Sequence, residues 1–188
     1  MKRFYLVALL LFSLNVAIAQ QTNLVDEPKS EILGLMKNDG TYLKKEFYDL
    51  KILGGEWKVL IITNVLENTK TGYIRLETSH YSSVSTSSYV GFFDFDEIDM
   101  CIKYLEYIKL EMQSLPSIYT EHEYKTKNGM VMGAFLDMAD KKKEPKWIIY
   151  INTQGYSSRS VKHFDAHHID SIIDILTNGK TLIEEKVN

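Results

Sequence analysis

Three histidines, His163, His167 and His168, fall within six residues of one another, interleaved with Asp165. A His-x3-His pair on one helix face can hold zinc, and zinc beside acids is the machinery of a metal-dependent hydrolase. That chemistry needs His163 and His167 one helical turn apart. Phe164-Asp165 reads as the end of a strand and the cap of a helix, so His163 precedes the first turn and the geometry is lost. No HExxH is present, and a third ligand would have to come from His80 or His122. A surface histidine cluster is the expectation, with a zinc hydrolase built on His163, His167 and His168 as the alternative.

The acids Asp94, Asp96, Glu97 and Asp99 could offer oxygen ligands to a hard cation, but they lack the glycine-punctuated spacing of a calcium loop. They suit a helix start better, where a carboxylate accepts free backbone N–H groups and favours the positive end of the dipole. The single cysteine, Cys101, lies on an apolar helix face and reads as a small buried hydrophobe, so no internal disulfide can form. There is no Gly-rich phosphate loop, CxxC or GxSxG, and no Ser-His-Asp arrangement. No catalytic residue and no cofactor is expected.

The residues best suited to binding are two matched runs, Tyr81-Ser82-Ser83 and Tyr156-Ser157-Ser158. Tyrosine with small hydroxyl neighbours makes an adaptable contact surface, and loops on a rigid sheet are where binding residues concentrate. Tyr81, Ser82, Tyr156 and Ser157 are therefore the candidate ligand contacts. The competing expectation is that both tyrosines fold back over a sheet edge.

Positioning these residues falls to a repeated unit. The stretch 88–112 reads as a short strand running into an amphipathic helix, with Ile98, Cys101, Ile102, Leu105, Ile108 and Met112 at helical spacing. The pattern returns over 160–176. Phe93, Asp94, Ile98 and Asp99 fall on Phe164, Asp165, Ile169 and Asp170 without a gap, and Ile102 and Leu105 fall on Ile173 and Leu176. Asp94 and Asp165 are expected to be N-caps. Phe93 with Ile98, and Phe164 with Ile169, make a hydrophobic staple in each copy, and Glu97 completes a capping box that His168 cannot. Upstream, Thr78, Tyr81, Ser82 and Ser83 fall on Thr153, Tyr156, Ser157 and Ser158.

The first repeat should hold strands over 46–52 and 56–65 joined at Gly54-Gly55, a third over 73–78, a Ser-rich loop over 80–88, a fourth over 89–93, and a helix ending near Ser114. The second should hold strands over 120–127 and 130–138 joined at Asn128-Gly129, then 147–152 and 160–164, and a helix over 166–177 stopping at Asn178-Gly179. The fold expected is α+β: two ββββα repeats, 46–114 and 118–188, forming one pseudo-symmetric domain of curved antiparallel sheets each packed by a helix.

At the N-terminus, Met1-Lys2-Arg3, an apolar run and Ala17-Ile18-Ala19 read as a signal peptide over 1–19 cleaved near Ala19. The apolar run is shorter than the roughly 20 residues of a membrane span. Residues 20–45 form a polar lead-in, with a short helix over 29–37 carrying Ile32, Leu35 and Met36 on one side. Export to the periplasm or beyond follows, with no membrane insertion after cleavage. Without Lys2 and Arg3 the 22 basic residues become 20 against 25 acids, a formal charge of −5, which disfavours nucleic acid as a partner.

The β4α-twice order is similar in topology to the Whirly and Pur single-strand nucleic-acid-binding folds, without their sequence motifs. In texture the chain more closely resembles uncharacterised small secreted proteins of Gram-negative bacteria. The residues that carry this are Ala17-Ile18-Ala19-Gln20, the FDFDEID helix start and the Trp147 strand followed by Tyr156-Ser157-Ser158. That resemblance brings no activity or ligand with it. The function expected is a non-catalytic module for a protein, peptide or glycan, with a homodimer through a sheet edge also compatible.

Overall fold

The computed structural model describes residues 30–37, 40–139, 144–155 and 157–188. The expected signal peptide, most of the lead-in and Tyr156 lie outside the described residues. Two four-stranded antiparallel meanders make up the sheets. The first comprises β1 (Leu43–Ile52), β2 (Glu56–Asn64), β3 (Thr69–Tyr81) and β4 (Thr86–Asp94), preceded by the short helix α1 (Glu31–Lys37) and followed by α2 (Ile98–Glu111). The second comprises β5 (Glu121–Lys125), β6 (Val131–Asp137), β7 (Lys146–Asn152) and β8 (Val161–Asp165), followed by α3 (Ile169–Val187). This is the α+β fold of two ββββα units expected from the repeat.

The strands form where β-branched and aromatic residues alternate. Val59, Ile61, Ile74 and Leu76 turn one way, into the main core, while Leu60, Ile62 and Tyr73 turn the other way. The second sheet sends Met132, Ala134, Leu136, Trp147, Ile149 and Ile151 inward. Both sheets and both long helices share one continuous apolar cluster. Burying each Ile, Leu or Val side chain contributes about 1.5–3 kcal/mol relative to exposure.

Each long helix covers the sheet of the other repeat. α3 lies on β1, β2 and β3, while α2 lies on β5 and β6. Tyr104 and Tyr107 of α2 meet the rings of Tyr124 and His122 on β5, and the Trp147 indole donates to Ser114 O at 2.9 Å. On the other side, Ile183 of α3 closes over Gly72, and Lys186 sits over the Tyr48 ring. Neither repeat can bury its own sheet without its partner.

A pseudo-two-fold relates the halves. The shift that carries Asp99 onto Asp170 also carries Lys109 onto Lys180, and the two helices are tied by both cross-pairs. Lys180 meets Asp99 at 2.7 Å and Lys109 meets Asp170 at 2.5 Å. Thr78 and Thr153, matched from sequence, are buried and hydrogen-bonded to each other at 3.0 Å. The axis passes between them.

Several boundaries depart from the sequence reading. β1 begins at Leu43, inside the expected lead-in. The loop expected over 80–88 contracts to Ser82–Ser85, because β3 and β4 stay paired as far as Tyr81 and Thr86. The helix expected to stop at Gly179 runs on to Val187. Gly179 is buried on the same stripe as Ile172, Ile175, Leu176 and Ile183, and a Cβ there would stand 2.6 Å from Ile74 Cδ1. The glycine serves close approach of helix to sheet and not a cap. In α1, Ile32 is buried against Leu60, Ile62 and Tyr73, but Met36 faces outward.

Candidate functional site

The zinc constellation weighed as the alternative at His163, His167 and His168 is not assembled. His163 is exposed on β8 with its ring edge-on to Phe135 at 5.9 Å. His167 and His168 lie in the 3-10 turn that opens α3, their rings 4.0 Å apart, with His168 also edge-on to Phe164. Among the described residues, no group of three or more His, Cys, Asp or Glu side chains is arranged to hold a metal ion. His122 packs its ring between Tyr107 and Trp147, far from any such role.

The acids at the start of α2 are structural and more committed than the sequence implied. Asp94 has the extended backbone of an N-cap. Its carboxylate accepts the Ser30 hydroxyl at 3.1 Å and the Glu31 N–H at 2.8 Å, and so anchors α1. Glu97 accepts the Asp94 N–H and the Lys127 N–H, both at 2.9 Å, linking the first repeat to the β5–β6 turn. Burial pushes the Glu97 carboxyl up, and these two backbone N–H groups oppose the rise. Asp96 pairs with Lys127 and Asp99 with Lys180. Asp165 has the N-cap backbone but makes no side-chain cap bond, which corrects the expectation for the second copy. Its exposed carboxylate pairs instead with Lys146 at 3.2 Å.

The matched loops lead to a pair of clefts flanking the pseudo-axis. Where β3 ends, its Ser79 carbonyl accepts Lys162 Nζ of β8 at 2.7 Å. The counterpart of Lys162 in the first repeat is Gly91 on β4, and a Cβ there would stand 3.2 Å from Thr153 O at the end of β7. The end of each third strand thus meets the fourth strand of the other repeat, and a cleft lies beside each meeting point. One cleft, of about 260 Å³, is framed by Gly54-Gly55, Glu77, Ser79, Tyr81 and Lys162. The other, of about 450 Å³, is framed by Asn128-Gly129, Val90, Phe92, Gln154 and Ser157. The two hairpin turns, the two strand ends and the two fourth strands correspond element for element.

No protein-family model, curated protein or solved structure matches this chain.

The two clefts differ in chemistry. The first is polar. Tyr81 stands at its rim 77% exposed, which excludes the expectation that this tyrosine folds back to cover an edge. The Arg75 guanidinium donates to Glu77 at 2.6 Å and holds its carboxyl below the usual carboxylate range, against a smaller opposing effect of burial. Glu56 pairs with Lys58 at 3.2 Å. Ser82 is spent on its own turn, donating its hydroxyl to Ser85 O at 2.9 Å and accepting the Ser85 N–H at 3.0 Å. The second cleft is apolar along Leu33, Val90 and Phe92. Ser157 uses its backbone there, its N–H donating to Gln154 O at 2.7 Å and its carbonyl accepting the buried Ser160 hydroxyl at 2.9 Å.

Lys162, Ser79, Phe92 and Gln154 escaped the sequence reading because each cleft is built across the repeats. The available signal was the pairing of the two turns, Gly54-Gly55 and Asn128-Gly129, at matching places in the repeats.

Proposed function

We propose that this protein is a non-catalytic binding module whose two pseudo-equivalent clefts grip successive units of one extended ligand. The observation that carries this reading is the pairing itself: two clefts of matching construction on either side of one axis, each reached by one of the Tyr-Ser-Ser runs. A linear glycan is favoured over a peptide or a folded protein. An exposed tyrosine ring offers a flat apolar face for a sugar, and Glu77, Glu56, Lys162 and Gln154 supply acceptors and donors for hydroxyls. In the polar cleft Glu77 is paired with Arg75 and Glu56 with Lys58. Action outside the cytoplasm, in the periplasm or beyond, follows from the signal-peptide reading of 1–19.

The test is capture of the mature chain, from Gln20 onward, on glycan and peptide arrays. Tyr81→Ala combined with Tyr156→Ala should abolish capture of a linear oligosaccharide while the melting temperature stays within a few degrees of the parent. Capture of peptides alone would replace the glycan reading. Capture that survives the double substitution would remove the clefts from the account.

A further inference from the structure

The pseudo-symmetry has one conspicuous mismatch. The shift that carries Thr78 onto Thr153 carries Gly72 onto Trp147, and both residues face the core side of their sheets. In the second sheet the indole fills the space beside the end of α2, 5% exposed, with its N–H bonded to the Ser114 carbonyl. In the first sheet the residue at that position has no side chain of its own, and one from α3 comes in instead. Ile183 closes directly over Gly72, so that a Cβ there would overlap it. Next to it a cavity of about 470 Å³ remains, with Phe95, Ile183 and Val187 as apolar walls and Glu31, Glu184 and Lys70 at the rim. That volume lies within the range of small-molecule sites.

The rim favours a cation. Lys70 donates to the Lys186 carbonyl at 3.3 Å, so its charge is turned to the end of α3. That lysine already meets the negative end of α3, and two carboxylates outnumber it at the rim, Glu31 and Glu184, the latter also 3.8 Å from Lys180 Nζ. Burial and the neighbouring Asp94 and Asp96 push the Glu31 carboxyl up against a smaller opposing effect of Lys127, and a bound cation would act with Lys127.

We propose that this cavity is a binding site for a planar aromatic amine, a ring of about indole size carrying a protonated amino group. The ring lies beside Ile183, in the cavity next to the glycine that stands where the other half has Trp147, and the ammonium pairs with Glu31 and Glu184. The site is separate from the paired clefts and shares none of their residues.

Tryptamine, indole and indole-3-acetate are the probes, each titrated into the isotope-labelled mature chain while amide shifts are followed by NMR. Tryptamine should shift Gly72, Phe95 and Ile183 saturably at millimolar concentration or below, ahead of indole, with indole-3-acetate weakest. Glu31→Gln with Glu184→Gln should weaken tryptamine about 5-fold and leave indole unchanged, as expected for exposed charge pairs. Val187→Trp should fill the cavity and abolish binding of all three. Absence of saturable shifts, equal binding of indole-3-acetate and tryptamine, or undiminished binding to a folded Val187→Trp chain would each overturn the proposal.

Discussion

Glu97 is the residue whose removal should cost the fold most for its size. It is buried, and its two oxygens serve two parts of the chain: Oε1 takes the Asp94 N–H and Oε2 the Lys127 N–H, each at 2.9 Å. A hydrogen bond to a charged acceptor contributes about 1.5–3 kcal/mol, and an orphaned buried donor costs about 1–3 kcal/mol. Desolvation of the carboxylate offsets part of the gain, as its raised pKa indicates. Glu97→Ala should therefore destabilise by about 3 kcal/mol. Glu97→Gln keeps one acceptor but points an amide N–H at a backbone N–H, and should cost about 1–3 kcal/mol. Urea unfolding, followed through the buried Trp57 and Trp147, measures both. The pH dependence has a definite sign. A carboxyl whose folded pKa is raised contributes stability that is present below its unfolded pKa and lost as pH rises through the folded value. Glutamine does not titrate, so the gap between parent and Glu97→Gln should widen as pH falls through that raised value. A cost for Glu97→Ala under about 1 kcal/mol would refute the shared-acceptor reasoning, whereas a gap that narrows on acidification would mean that the two N–H bonds outweigh desolvation.

Three further outcomes are expected. Gly179→Leu should destabilise by about 1–3 kcal/mol, because α3 meets Ile74 and Leu50 at that point; no loss in a melting experiment would mean that the helix does not press there. Double-mutant cycles on Asp99–Lys180 and Lys109–Asp170 should return similar couplings of about 0.2–1 kcal/mol, both shrinking with added salt, since the pairs are exposed and pseudo-equivalent. Burial pushes the Cys101 thiol up to about 12, so a disulfide reagent at mildly alkaline pH should label it only after unfolding; rapid labelling of the native chain would contradict its burial.

The local elements were legible because local chemistry dictates them. Ile98, Cys101, Leu105 and Ile108 specify one buried helix face wherever that helix docks, and Asn128-Gly129 specifies a turn, with Gly129 at a φ of +89°. What each helix docks on is a different kind of fact. The exchange of α2 and α3 between sheets depends on complementarity across the repeats, such as Ile183 over Gly72, and no periodicity within one repeat encodes it. The same gap explains Gly179. A glycine after a polar residue near the end of an apolar stripe is the usual sign of a helix stop, and only the Ile74 side chain across the interface gives it another purpose. Asp94 and Asp165 were matched as caps in sequence, with only the Glu97–His168 difference to set them apart, yet one is buried against Ser30 of α1 and the other faces solvent with Lys146, because α1 has no counterpart on the second sheet among the described residues. The tyrosine runs drew attention to the strand ends at which the two clefts open. The other wall of each cleft comes from the opposite repeat, so the repeat alone could not supply it.

The decisive measurement concerns the paired clefts. The isotope-labelled mature chain would be titrated with the tightest oligosaccharide from the arrays, and its amide shifts mapped onto the fold. Binding across both clefts predicts coordinated shifts at Ser79, Tyr81 and Lys162 on one side of the axis and at Val90, Gln154 and Ser157 on the other, saturating together. Shifts confined to one side, or centred on His163 and His167 with both clefts silent, would contradict it.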